Sequence, residues 1–102
     1  DACTGTEFGG TLVAGGSSIY QSSMNGFSGG SGSYSGRLTL PSGNTFVLSL
    51  EQKKGRSWTV VASSPGTSET ELISFKGKSG TYRWRVRSVY GVGDYQLCSV
   101  TP

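Results

Sequence analysis

The sequence predicts an all-β domain, a two-sheet antiparallel sandwich of about eight strands. Three observations predict it. Apolar and polar residues alternate in short runs, and turn signals recur about every eight to twelve residues. No window carries an apolar stripe at i, i+3, i+4 and i+7 free of glycine, and β-branched and aromatic residues dominate the apolar set.

The strands follow in order. A short first strand over residues 10–14 ends at Gly15-Gly16, and a second over 18–24 carries Ile19 and Tyr20. Residues 26–36 have the low-complexity composition of a flexible linker, yet Tyr34, Leu38 and Leu40 alternate out of it and predict a third strand over 33–40. After Pro41-Ser42-Gly43-Asn44 the fourth strand, 45–51, sets Phe46, Leu48 and Leu50 against Val47, Ser49 and Glu51. Lys53-Lys54-Gly55 precedes a fifth over 57–63, with Trp58, Val60 and Ala62 on one face. Beyond Pro65-Gly66 the sixth, 70–76, opposes Ile73 and Phe75 to Leu72, Ser74 and Lys76. The seventh, 81–89, has the sharpest alternation: Tyr82, Trp84 and Val86 on one face, Arg83, Arg85 and Arg87 on the other. An eighth over 93–100 closes the set. Each sheet then has one apolar and one polar face, which is the pattern of a sandwich.

All 102 residues fit a single domain, 1–102. The core is thin: Gly (17) and Ser (18) fill about a third of the chain, against 21 Leu, Ile, Val and Phe. Aromatic side chains, 11% of residues, supply much of the burial. Cys3 and Cys98 sit at the two ends and read as a disulfide that staples this core, which implies an oxidising compartment and a secreted, extracellular protein. The alternative is two free thiols in a reducing compartment. The N-terminus shows no signal-peptide pattern, as expected of a mature chain or an excised domain.

Several function classes are excluded by composition. With no histidine, a Ser-His-Asp triad, a Cys-His pair and a His-liganded zinc are ruled out. No apolar run reaches the roughly 20 residues that span a bilayer, so no membrane partner is expected. A net charge of +3 permits contact with anions without indicating nucleic acid. Glu69 and Glu71 are the one close acidic pair, two apart on a strand; a glycosidase needs its carboxylates about 5 to 9.5 Å apart across a cleft. Phosphate loops and calcium loops are absent. The chain is expected to be non-catalytic, without metal or cofactor.

The run Gly80-Thr81-Tyr82-Arg83-Trp84-Arg85-Val86-Arg87-Ser88, followed by Tyr90-Gly91-Val92-Gly93-Asp94-Tyr95-Gln96-Leu97, resembles the closing hairpin of bacterial pre-peptidase C-terminal domains. More narrowly, it is similar to the accessory domains at the C-terminus of secreted chymotrypsin-like serine proteases from actinobacteria. Gly10-Thr11-Leu12, Ser35-Gly36-Arg37-Leu38, Phe46 to Leu50, Trp58 with Val60-Val61-Ala62-Ser63, and Ser68-Glu69 through Phe75 agree in order. The resemblance implies a jelly-roll-like sandwich that holds a secreted hydrolase on insoluble substrate or assists its export and maturation. Thr45, Val47 and Ser49 stand where members often carry two acids and an outward tyrosine, and Val89 replaces an aromatic common at the final turn. An acid-based cation site on that strand is therefore not expected.

Two groups are candidate binding residues. Arg83, Arg85 and Arg87 lie about 7 Å apart along one strand face. With Lys76 and Lys78 they form a basic strip for sulfated glycans, anionic wall polymers or carboxylates, or else they pair with Glu51, Glu69 and Glu71 on neighbouring strands. Tyr20, Tyr34, Tyr90 and Tyr95 lie near loops and are expected to be exposed, whereas Trp58, Tyr82 and Trp84 are expected in the core. The function expected is that of a monomeric, non-catalytic module. It would bind an insoluble protein or polysaccharide polymer for a parent protease, or dock on the catalytic domain of that protease to aid secretion.

Overall fold

In the computed structural model, which describes residues 3–102, strand alternation settles into nine strands. They are β1 (Thr6–Leu12), β2 (Ser18–Gln21), β3 (Phe27–Gly29), β4 (Gly32–Thr39), β5 (Thr45–Lys54), β6 (Ser57–Ser63), β7 (Thr70–Gly77), β8 (Gly80–Tyr90) and β9 (Gly93–Val100). One antiparallel sheet runs β1-β9-β4-β7 and the other β2-β8-β5-β6, with β3 also paired to β8. Because β2 and β3 occupy successive stretches of one edge of β8, they are two halves of one broken strand. Eight strand positions remain, in jelly-roll order.

The departures from the sequence reading have physical causes. The first strand begins at Thr6, not residue 10, because β9 pairs with it from Thr6↔Ser99 to Leu12↔Gly93 and the glycines do not interrupt that ladder. Residues 27–29, which fall in the low-complexity stretch, are a strand because β8 offers an edge to pair with there. The low-complexity stretch is not a linker: Gly32–Thr39 is held between β7 and β9. β8 and β9 are not a hairpin either. The chain crosses from one sheet to the other at that turn, as it does between β6 and β7 and between β7 and β8.

The core lies between the sheets. Phe46, Leu48, Leu50, Tyr82, Trp84 and Val86 point inward from the five-stranded sheet and Tyr34, Leu38, Ile73, Tyr95 and Leu97 from the four-stranded one. Trp84 is wholly buried, and its Nε1 donates to Ser99 Oγ at 2.8 Å across the layers. Its ring lies against the backbone of Gly36, where a Cβ would come within 2.8 Å of it, so only glycine fits there. The rings of Tyr34 and Tyr82 pack at a tilt with 4.3 Å between centroids, a contact of about 0.5 to 1.5 kcal/mol beyond burial. Their hydroxyls donate to the carbonyls of Gly30 and Lys78, both at 2.6 Å.

Cys3 and Cys98 form a disulfide with a sequence separation of 95 residues. It fastens the segment before β1 to β9. On the chain-entropy account, a loop of this length stabilises the fold by about 4 to 5 kcal/mol. The double variant Cys3→Ser, Cys98→Ser is expected to lose stability of that order in urea unfolding; a change below about 1 kcal/mol would show that the sheets alone hold the domain.

Candidate functional site

The outer face of the five-stranded sheet is where the sequence places its charge, and register decides what meets there. Across this face Tyr20 of β2 pairs with Arg85 of β8, Glu51 of β5 with Arg83, Ser49 with Arg85, and Lys53 with Trp58 of β6. The guanidinium of Arg83 lies between two rings, 4.0 Å from the centroid of Tyr20 and 4.1 Å from that of Trp58. Its Nε donates to Glu51 Oε1 at 2.6 Å and its Nη1 to the Met24 carbonyl at 2.8 Å. One side chain thus ties β2, β5, β6 and the β2–β3 loop to β8.

The other two arginines are held more loosely. Arg85 donates from Nε to Ser18 Oγ at 3.0 Å, stands 3.9 Å from Glu51 Oε2 through Nη1, and keeps 35% of its side-chain surface exposed. Arg87 is exposed, and no ion pair or hydrogen bond of its side chain occurs among the described residues. The ladder therefore grades from a neutralised, buried Arg83 to an open Arg87.

Sequence reasoning placed several of these residues wrongly. Lys76, Lys78, Glu69 and Glu71 do not meet the arginines, because β7 belongs to the opposite sheet. Of the three acids expected to pair with the ladder, Glu51 alone does so. Glu71 is buried and accepts hydrogen bonds from the backbone N–H groups of Gly66 and Ser68, while Glu69 takes the Ser42 hydroxyl at 2.6 Å. Glu69 precedes β7 and is exposed, so the two are not a pair on one strand.

Tyr34 and Tyr95 are core residues, not exposed candidates, since their strands lie in the middle of the four-stranded sheet and both rings point inward. Burial, then Tyr82, pushes the Tyr34 phenol up to about 12. Burial also raises Tyr95, although Gln21 Nε2 donates to its oxygen at 2.8 Å. Tyr20 is half-buried in the Arg83 stack, and Tyr90, 68% exposed, stands at one end of the sandwich. Trp58, expected in the core, faces outward. A bulge between Leu50 and Glu51 adds Val61 to β6, so Trp58 and Val60 follow Glu51 to the outside while Ala62 follows Leu50 to the core.

No three His, Cys, Asp or Glu side chains converge on a possible metal position among the described residues. Two shallow depressions lie elsewhere. One of about 220 Å³ is lined by Glu7, Arg37, Thr39, Gln96 and Cys98; the other, of about 250 Å³, includes Phe8, Phe27 and hydroxyls of Ser22, Ser28 and Ser99.

Comparison with solved structures decides the fold. The pre-peptidase C-terminal domain of collagenase from Bacillus anthracis matches with a TM-score of 0.70 over 94% of this chain and 89% of that one, at 17% identity. The chain has the fold of a pre-peptidase C-terminal domain. The Yersinia pseudotuberculosis-derived mitogen shares it, with a TM-score of 0.71 over 99% of this chain and 88% of the mitogen at 14% identity. No family model matches the sequence. The pre-peptidase C-terminal fold thus carries proteins of different kinds, and the residues on its outer faces must distinguish them.

Two outcomes follow from this geometry. Glu51→Gln leaves the Arg83 charge buried without its partner and is expected to cost about 3 kcal/mol in urea unfolding, against less than about 0.5 for Glu69→Gln. Since Tyr34 ionises at about 12 in the fold but near 10 in the unfolded chain, its contribution is complete below pH 10 and lost as pH rises through about 12. Phenolate absorbance should therefore show Tyr34 and Tyr95 ionising only at pH above ordinary tyrosines, and Tyr34→Phe should blunt the alkaline loss of stability.

Proposed function

We propose that this chain is a non-catalytic accessory domain of an extracellular peptidase, a secreted serine protease by the sequence resemblance. It holds that enzyme on an insoluble protein or polysaccharide polymer and works as a monomer. The observation that carries the reading is the Tyr20–Arg83–Trp58 stack. The rings are fixed before any ligand arrives, so contact with them costs little side-chain entropy. The fold likeness to a collagenase domain and the disulfide support an extracellular, peptidase-linked setting. A weak module tethered to a catalytic domain raises the effective concentration of substrate without new chemistry.

A second reading rests on a different place. Val13, Val89, Tyr90 and Val92 are all at least half exposed, and Gly16 N–H donating to the Ser88 carbonyl brings the first loop beside the last turn of β8. This apolar end supports docking on a catalytic domain during secretion or maturation.

Co-sedimentation with collagen, keratin, elastin, chitin, cellulose, xylan and bacterial cell wall at physiological salt separates the two. Retention on a polymer that falls at least tenfold in the Tyr20→Ala, Trp58→Ala double variant, with Tyr90→Ala unchanged, is the expected result. Retention on none, with loss of secreted active protease in a Tyr90→Ser, Val92→Ser variant of the parent enzyme, would replace targeting with docking. Melting curves confirm that each variant is folded.

A further inference from the structure

The two sheets divide the charge of the chain unequally. Lys53, Lys54, Arg56, Arg83, Arg85 and Arg87 lie on the five-stranded sheet or its β5–β6 hairpin, and the acid among them is Glu51. On the four-stranded sheet and its loops Arg37, Lys76 and Lys78 are outnumbered by Glu7, Glu69, Glu71 and Asp94. A net charge of +3 for the chain therefore understates the field over one face. Glu51 is committed to Arg83 at 2.6 Å and reaches Arg85 at 3.9 Å, so one carboxylate faces two arginines, and neither Arg87 nor Lys53 has an ion pair among the described residues.

We propose that the outer face of the five-stranded sheet binds linear acidic polysaccharides, with Arg85 and Arg87 as the contacts to sulfate or carboxylate groups. This rests on the reading of that face as a binding surface and names its ligand class. Arg85 is held by its bond from Nε to Ser18 Oγ, with Nη1 3.9 Å from Glu51 Oε2, and the 35% of its side chain that stays exposed offers guanidinium N–H groups to an anion. Arg87 follows two residues on, about 7 Å away on the same face, so the contacts form a line along β8. Beside that line Ser49 and Ser63 place hydroxyls 3.4 Å apart, and Tyr20 and Trp58 contribute rings. Anionic groups, hydroxyls and the apolar faces of sugar rings find their complements on one sheet face.

The test uses immobilised dextran sulfate and polygalacturonate, with neutral dextran and polyglutamate as comparisons. The wild-type domain is expected to bind one or both acidic polysaccharides at physiological salt and not neutral dextran. Arg85→Gln with Arg87→Gln should weaken that binding at least tenfold and flatten its salt dependence. Lys76→Gln with Lys78→Gln removes the same charge from the other part of the molecule and should change it less than twofold. Both arginines are on the solvent side, so the melting temperature should stay within a few degrees of wild type.

Preference for dextran sulfate or for polygalacturonate assigns the sulfate or the carboxylate, and either supports the proposal. Equal weakening by both pairs would reduce the effect to net charge and overturn it. Tighter binding to polyglutamate would overturn it in favour of an acidic polypeptide. An insoluble polymer retained equally by the arginine variant would leave the targeting function standing and this assignment refuted. Binding of soluble polyanion without retention on any insoluble polymer would do the reverse.

Discussion

The alternation along β8 is the constraint on which the rest of the molecule depends. This strand pairs with β2, β3 and β5, so its side chains reach more of the five-stranded sheet than those of any other strand. Tyr82, Trp84 and Val86 enter the core completely, and Arg83, Arg85 and Arg87 leave it. A slip of one residue would put three guanidinium groups between the sheets and two large aromatic rings in water. No neighbouring register could survive that exchange, and the strands paired to β8 inherit its register.

The outer face follows from the inner one. With Trp84 fixed by Ser99 and Gly36, Arg83 has one place to go, and β2 on one side and β6, beyond β5, on the other bring Tyr20 and Trp58 to it. Glu51 then neutralises it without leaving the sheet. Stacking of a guanidinium on aromatic rings contributes about 0.5 to 2 kcal/mol per contact as it becomes desolvated, so Arg83 belongs as much to the stability of the fold as to any ligand. Arg85 and Arg87 lack that enclosure. Position along one strand therefore separates a structural arginine from two that remain available.

The fold was legible because a period of two, turn residues and two terminal cysteines survive in a thin sequence. The strand bounds 57–63 and 93–100 are those of β6 and β9. What could not be read was which strands share a sheet. Adjacent segments 70–76 and 81–89 look like hairpin partners, and only the crossover after β7 removes Lys76, Glu69 and Glu71 from the arginine ladder. The outward turn of Trp58 was hidden for a related reason: a bulge changes the phase of β6, and nothing in the alternation of Trp58, Val60 and Ala62 announces it. Nearness to glycine-rich loops does not expose Tyr34 and Tyr95. In this core the glycines make room for rings: a Cβ at Gly29 would collide with the Tyr34 ring, and one at Gly10 with that of Tyr95.

That use of glycine bears on what the fold likeness can and cannot carry to this chain. A core made of a few aromatic rings against bare backbone needs little from the remaining sequence, and the disulfide from Cys3 to Cys98 lowers the requirement further. Most outward positions are then free to change without cost to the sandwich. A collagenase domain and a mitogen can accordingly share this architecture with the chain at 17% and 14% identity. The information about partners sits in the outward residues, whose identities the shared fold does not constrain. On the five-stranded sheet of this chain those residues are an open Arg87, a partly exposed Arg85, a lysine, serine hydroxyls and two rings held around a third arginine. Their chemistry, rather than the architecture beneath it, is the basis for assigning a ligand.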